Sequence, residues 1–319
     1  MAPPAGIREG RAGGRALTLF HEGELAVQRR AGVERVAAQV GRNILPFVAP
    51  AYGEFLSRQP FVVVASRDRA GRVWASPLFG GVGFASALDD RRVLLVSDPM
   101  PGDPLKEALA RSAARIGVLA IEFDSRLRIR LNGLAEQTAD GILLTVEEAF
   151  GNCPKFIQRR LPSEAVPRQG TPAHRATDAL DLDQAALVRL ADTFFIASAH
   201  PERGADASHR GGRPGFVEVS DDGCWLSFPD YSGNRMFQTL GNLTVDPRAG
   251  LLFLEWDTGT VLQLTGDARI VWDEDALASR PGAERLVEFT IDAVREVQRA
   301  MPARWTLIEP SRLNPPANR

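Results

Sequence analysis

Two short stretches carry most of the chemistry that can be read from residue types. The first is Phe228–Asn242, FPDYSGNRMFQTLGN, which lies between the apolar runs CWLSF and AGLLFLEW. Asn234 and Arg235 sit there at the expected start of a helical segment that includes Gln238. First-turn amides lack backbone partners and the helix dipole favours negative charge, so this is a candidate anion site, and Arg235 can add a charge-assisted bond. The second is SHRGG, where Ser208, His209, Arg210 and Gly211 supply further donors. The two stretches can converge on one phosphate; the plain alternative is a pair of polar hairpin loops. His209 is the candidate proton donor, against a loop histidine bonded to backbone. Cys153 and Lys155 in GNCPKF raise a reactive-thiol reading, against a buried small residue at a proline turn. Trp305 is either a pocket wall or a packing anchor.

The totals narrow the class. The chain has 319 residues, a net charge of −2 and two cysteines, Cys153 and Cys224. That excludes a disulfide framework and an iron–sulfur cluster, and two free thiols fit a reducing cytoplasm. Near-zero charge gives no general attraction to nucleic acid or membrane, and no apolar run is long enough to span a bilayer. There is no metal-ligand spacing and no GxGxxG following a strand, so neither a metal site nor a dedicated nicotinamide domain is expected.

The elements that must position these residues occur twice. Ala65–Ser66 recurs as Ala197–Ser198, Ala75–Ser76 as Ala207–Ser208, and Gly83–Phe84 as Gly215–Phe216, all at an offset of 132. LNGLA (131–135) recurs as LTGDA (264–268) at 133. Each copy is a series of short apolar or alternating runs bounded by Gly, Pro and Asp, too closely spaced for helices between them all. The expected fold is mainly β (α+β): two tandem antiparallel split β-barrels forming a pseudo-dimer, with flanking helices. The expected divisions are a disordered tail (1–19), a helical segment (20–58), a first barrel with the GNCPKF segment (59–160), a linker (161–185), a second barrel (186–275), and a C-terminal helix with an extended tail (276–319). Helices are expected over 103–115, 183–193 and 284–299, and a helix or turn over 145–160.

The copies differ where chemistry is at stake. SGNR (232–235) corresponds to PGDP (101–104), so Asn234 is replaced by Asp103 and Arg235 by Pro104. A carboxylate repels phosphate and proline removes an amide donor. SHRGG corresponds to SPLFGG, without the histidine and arginine. One anion site per chain is expected.

DASHRGGRPGFVEV, LSFPDYSGNRMFQTLGNL, DPRAGLLFLEW and VLQLTGDARIVW resemble the pyridoxamine 5′-phosphate oxidase-like, FMN-binding split-barrel family, in its duplicated, predicted flavin-nucleotide-binding branch. The resemblance implies one FMN between the two barrels. It implies phosphate contacts at Asn234 and Arg235, with Ser208, His209, Arg210 and Gly211 beside the flavin. Phe228, Pro229 and Asp230 would approach the ring or ribityl chain, and Cys153, Lys155 and Trp305 would belong to the pocket. The implied function is an FMN-dependent oxidoreductase of the cytoplasm, using NAD(P)H or a separate reductase and acting on a small molecule, with a homodimer compatible. The alternatives are a flavin carrier or sensor, and a haem-binding barrel using His200 or His209. Some family members have a glutamine where this chain has Val261, and the residues that grip the vitamin phosphate are not recognisable. Pyridoxamine phosphate oxidation itself is therefore not implied.

Overall fold

The computed structural model describes residues 19–111, 113–165 and 173–316. The expected tail falls almost wholly outside these residues, as does the middle of the expected linker.

The described chain opens with three short helices, α1 (Glu22–Arg30), α2 (Glu34–Gly41) and α3 (Pro50–Ser57). A capping box starts α1: the Gly23 amide donates to His21 Nδ1 at 3.1 Å and the His21 amide to Glu24 at 2.8 Å. The first barrel is β1 (Phe61–Arg67), β2 (Val73–Phe79), β3 (Ala85–Ala87), β4 (Arg92–Leu95), α4 (Leu105–Leu109), β5 (Ala114–Glu122), β6 (Leu127–Thr138) and β7 (Gly141–Gly151). After β8 (Arg159–Ala165), β9 (His174–Thr177) and α5 (Leu182–Leu190), the plan repeats. The second barrel is β10 (Thr193–His200), β11 (Gly204–Gly211), β12 (Glu218–Val219), β13 (Trp225–Tyr231), α6 (Gln238–Val245), β14 (Arg248–Leu254), β15 (Val261–Val271), α7 (Glu274–Leu277) and β16 (Ala283–Val297). Finally β17 (Ala303–Glu309) pairs with β8.

The two sheets have the same strand order, β2-β1-β5-β6-β7-β4-β3 and β11-β10-β14-β15-β16-β13-β12, all antiparallel. The register repeats as well. Ser76 faces Val64 and Ser208 faces Ile196, each pair 132 residues from the other. A bulge falls at Asn132/Gly133 in one copy and at Thr265/Gly266 in the other.

The barrels meet through strands buried on both faces. In β1, Val62 and Val64 point into the first core while Phe61, Val63 and Ala65 point to the interface. In β10, Phe194 and Ile196 fill the second core while Phe195 and Ala197 meet the first barrel. This explains why FVVVAS and FFIASA are continuous apolar runs rather than alternating ones. Two glycines mark close approaches of the two barrels. A Cβ on Gly117 would lie 2.5 Å from the Ala205 carbonyl oxygen, and one on Gly250 would lie 2.6 Å from Trp74 Cα. They are 133 apart and touch equivalent points on β11 and β2, as a pseudo-twofold axis requires.

Several boundaries differ from the sequence expectation. Residues 284–299 are not a helix but most of β16, the sixth long strand, so the second barrel extends beyond 275 to Val297. Buried Val287, Phe289 and Ile291 alternate with the more exposed Glu288, Thr290 and Asp292, a period of two that helix-forming composition conceals. Likewise 145–151 completes β7. The expected linker carries β8, β9 and the start of α5. The helix expected over 103–115 is only α4, since β5 begins at Ala114.

Candidate functional site

A cleft of about 720 Å³, open mouth included, lies between the barrels. Strand β11 forms one wall with Ser208, His209, Arg210 and Gly211. The end of β13 and the loop to α6 bring Pro229, Asp230, Asn234, Arg235 and Gln238, and the first barrel supplies Cys153 and Lys155. Two candidates lie elsewhere. Phe228 is fully buried in the second core, with its ring edge-on to Phe194 at 4.9 Å. Trp305 packs in an aromatic cluster with Phe61, Phe123 and Trp256, and is an anchor rather than a cleft wall.

The expected helix start also moves. Helix α6 begins at Gln238, so Asn234 and Arg235 belong to the preceding loop. That loop is held by side chains: Asn234 donates to Asn152 at 2.7 Å and accepts from the Met236 amide at 3.0 Å. Arg235 pairs with Glu284 at 2.6 Å and donates to Ser232 at 2.9 Å, and Lys155 reaches the same serine hydroxyl at 3.4 Å. Three of the five non-glycine residues with positive φ among the described residues, Phe156, Arg235 and Phe237, line the cleft. Left-handed backbone costs energy in such residues and collects where a ligand is gripped.

The residues that cross the interface lie outside the two stretches singled out by sequence. Arg128 and Arg130 of β6 project into the cleft from the first barrel. Arg130 forms a two-pronged bond to Asp206, at 3.1 and 3.0 Å, and reaches Ser208 at 2.6 Å. Arg128 donates to the Cys153 carbonyl and to His209 Nδ1. The alternating arginines of RLRIR were the available signal, because on a barrel strand they must share one face. Val261, the position compared with the family glutamine, is fully buried between the barrels. Its mirror 133 residues earlier is Arg128.

Burial dominates the electrostatics. It raises Asp206 and Asp230 above the ordinary carboxylate value, against the pull of Arg130 on the first and of Arg210 and Arg285 on the second. Desolvation lowers Arg128 to about 10, and desolvation with Arg128 close by holds His209 well below its ordinary value. The imidazole is therefore neutral at physiological pH.

The mirrored position in the other copy is closed. Asp103 is buried and accepts from Ser76 at 2.6 Å, from the Leu105 amide at 2.9 Å and from Gln263 at 3.2 Å. An internal carboxylate takes the donors that would otherwise face a ligand. Desolvation raises it to about 6.

Outside the cleft, His21, Glu22 and His200 bring their ligand atoms within 4.8 Å of one another. Each imidazole Nδ1 already accepts backbone N–H bonds, from Gly23 and from Glu202 and Arg203. The Nε2 atoms therefore carry hydrogen, toward Asn242 and Glu22, and have no lone pair for a metal. His200 is in this group rather than in the cleft. No helix among the described residues is long and apolar enough to cross a membrane.

Residues 181–313 match the pyridoxamine 5′-phosphate oxidase family. Similar solved structures include a candidate pyridoxamine 5′-phosphate oxidase from Lactobacillus delbrueckii, 15% identical over 37% of this chain and 94% of its own, with a TM-score of 0.32. An FAD-binding protein from Mesorhizobium loti is 14% identical over 39% of this chain and 97% of its own, at 0.27. One from Mycobacterium smegmatis is 12% identical over 40% and 98%, at 0.26. No curated protein matches the chain. The matched residues cover the second barrel, and the first barrel repeats its strand order.

Proposed function

We propose that the protein is an FMN-dependent oxidoreductase acting on a small molecule, with one FMN in the cleft between the barrels. The observation that carries this reading is a cleft walled by both barrels on one side of the pseudo-twofold, while its mirror is filled by Asp103. The donor set suits a terminal phosphate: Lys155, Ser232, Asn234 and Arg235 share one corner, and Lys155 has no carboxylate partner there. Ser208 and Arg210 lie further along β11 and would face the rest of the cofactor. Bound FMN supplies the hydride or electron chemistry. The protein's own part is to orient it, exclude water and place neutral His209 beside it. Reducing equivalents would come from NAD(P)H or a separate reductase.

Purified protein should take up FMN and show a flavin spectrum, and the loaded chain should consume NAD(P)H when an acceptor is added. A flavin spectrum without turnover under any donor would make it a carrier instead. A haem spectrum, or no uptake of FMN, would end the proposal.

A further inference from the structure

Two cations of the cleft, Lys155 and Arg128, have no carboxylate partner once its internal pairs are assigned. Arg130 is paired with Asp206, Arg210 and Arg285 with Asp230, and Arg235 with Glu284. Lys155 leans on Ser232 in the proposed phosphate corner. Arg128 stands apart from that corner. Its Nε and Nη2 donate to the Cys153 carbonyl at 3.0 and 2.7 Å, and its Nη1 to His209 Nδ1 at 2.9 Å. None of its hydrogen bonds goes to a carboxylate. With its pKa lowered only to about 10 it stays charged at neutral pH. Arg128 is half-buried and lines the cleft with no counter-ion, so a ligand that brings an anion there would supply the missing partner. A guanidinium has five N–H donors; the bonds to Cys153 and His209 leave one on each terminal nitrogen, that on Nη2 with only a 3.8 Å contact to Cys153 Sγ.

His209 completes the arrangement. Arginine cannot accept a hydrogen bond, so His209 Nδ1 is the acceptor and the hydrogen sits on Nε2. His209 is 3% exposed, and Nε2 is buried with no partner. The Nε2–H points away from Arg128, so His209 acts here through Nδ1, orienting the guanidinium as a neutral acceptor.

We infer that Arg128, held in place by Cys153 and His209, forms a second anion subsite in the cleft, for a carboxylate on the substrate, separate from the corner that would hold the cofactor phosphate. This rests on the flavin reading above. One guanidinium with a spare N–H on each terminal nitrogen suits a monoanion, and a carboxylate presents two oxygens to such a pair. A phosphate dianion would be only half neutralised there. At the mirrored positions stand Val261 and Pro77, neither able to bind an anion.

The test uses the FMN-loaded full chain, with benzoate as probe and benzamide as its neutral isostere. Benzoate should perturb the bound-flavin absorbance saturably, and benzamide should bind ~10-fold more weakly or worse. Arg128→Gln should raise the benzoate Kd by about ten-fold or more while changing FMN affinity less than about two-fold. Arg128→Lys, which keeps the charge, should fall between. Equal binding of benzoate and benzamide, or no binding of either, would overturn the inference. So would a loss of FMN affinity in Arg128→Gln, since Arg128 would then belong to the cofactor phosphate. If the wild-type chain takes up no FMN, the cofactor reading itself fails, and calorimetric titration of the flavin-free chain with benzoate still decides whether Arg128 holds a carboxylate.

Discussion

Arg130 and Gln263 stand at the same point of two copies of one fold, and their surroundings have diverged around them. Both reach across the interface to the serine of the opposite barrel, Arg130 to Ser208 at 2.6 Å and Gln263 to Ser76 at 3.2 Å. On the Arg130 side the neighbours are charged and the space beyond is open. On the Gln263 side Asp103 has moved in, and Ser76, Gln263 and the Leu105 amide are satisfied by it. Duplication thus left one interface with two potential sites. One kept its opening, and the other was closed by a single carboxylate that also repels anions.

That contrast makes graded predictions. The largest effect is on stability. Arg130→Ala leaves Asp206 buried without its partner and should cost about 3–5 kcal/mol. Gln263→Ala loses neutral bonds and should cost about 1–2 kcal/mol. Urea denaturation of both variants checks this, and equal losses would break the comparison.

Next comes the pH response of the closed side. The folded state raises Asp103 from 3.8 to about 6, so it holds a proton that the unfolded chain has released. Stability from this group is therefore present below about pH 4 and lost as pH rises to about 6. The loss is on the order of 2–3 kcal/mol. Asp103→Asn should remove that component. The readout is the wild-type-minus-variant difference in unfolding free energy between pH 4 and pH 7. A difference that grows in the opposite direction would show that the carboxylate is stabilised as an anion.

Cofactor affinity should respond on the open side only. Arg235→Ala or Lys155→Ala should weaken FMN binding by about 1.5–3 kcal/mol, as expected for charge-assisted bonds to phosphate. Ser208→Ala should cost about 0.5–1.5 kcal/mol, and Ser76→Ala nothing. Flavin fluorescence titration measures all four.

The repeat was legible in the sequence because offsets survive where side chains hold the fold. Gly133 and Gly266 keep a bulge, and Ser76 and Ser208 keep a register. The second-barrel side of the cleft was legible for the same reason, as Ser208, Arg210, Asn234 and Arg235 cluster in two short stretches. Arg128 and Arg130 were not, because their role depends on which strand of the other barrel they face. No local pattern records that contact. Strand β16 was missed because residues such as Glu288, Arg295 and Glu296 give it a helix-like composition while its pairing decides its state. Phe228 was misassigned because its neighbours Pro229 and Asp230 do line the cleft, and alternation along β13 turns Phe228 into the core.

The central claim is that one of two mirrored positions binds cofactor. It is tested most directly by the stoichiometry of FMN uptake in a calorimetric titration of the wild-type chain. One FMN should bind per chain, with Asp103→Asn leaving that number unchanged. Two FMN per chain, or none, would contradict it.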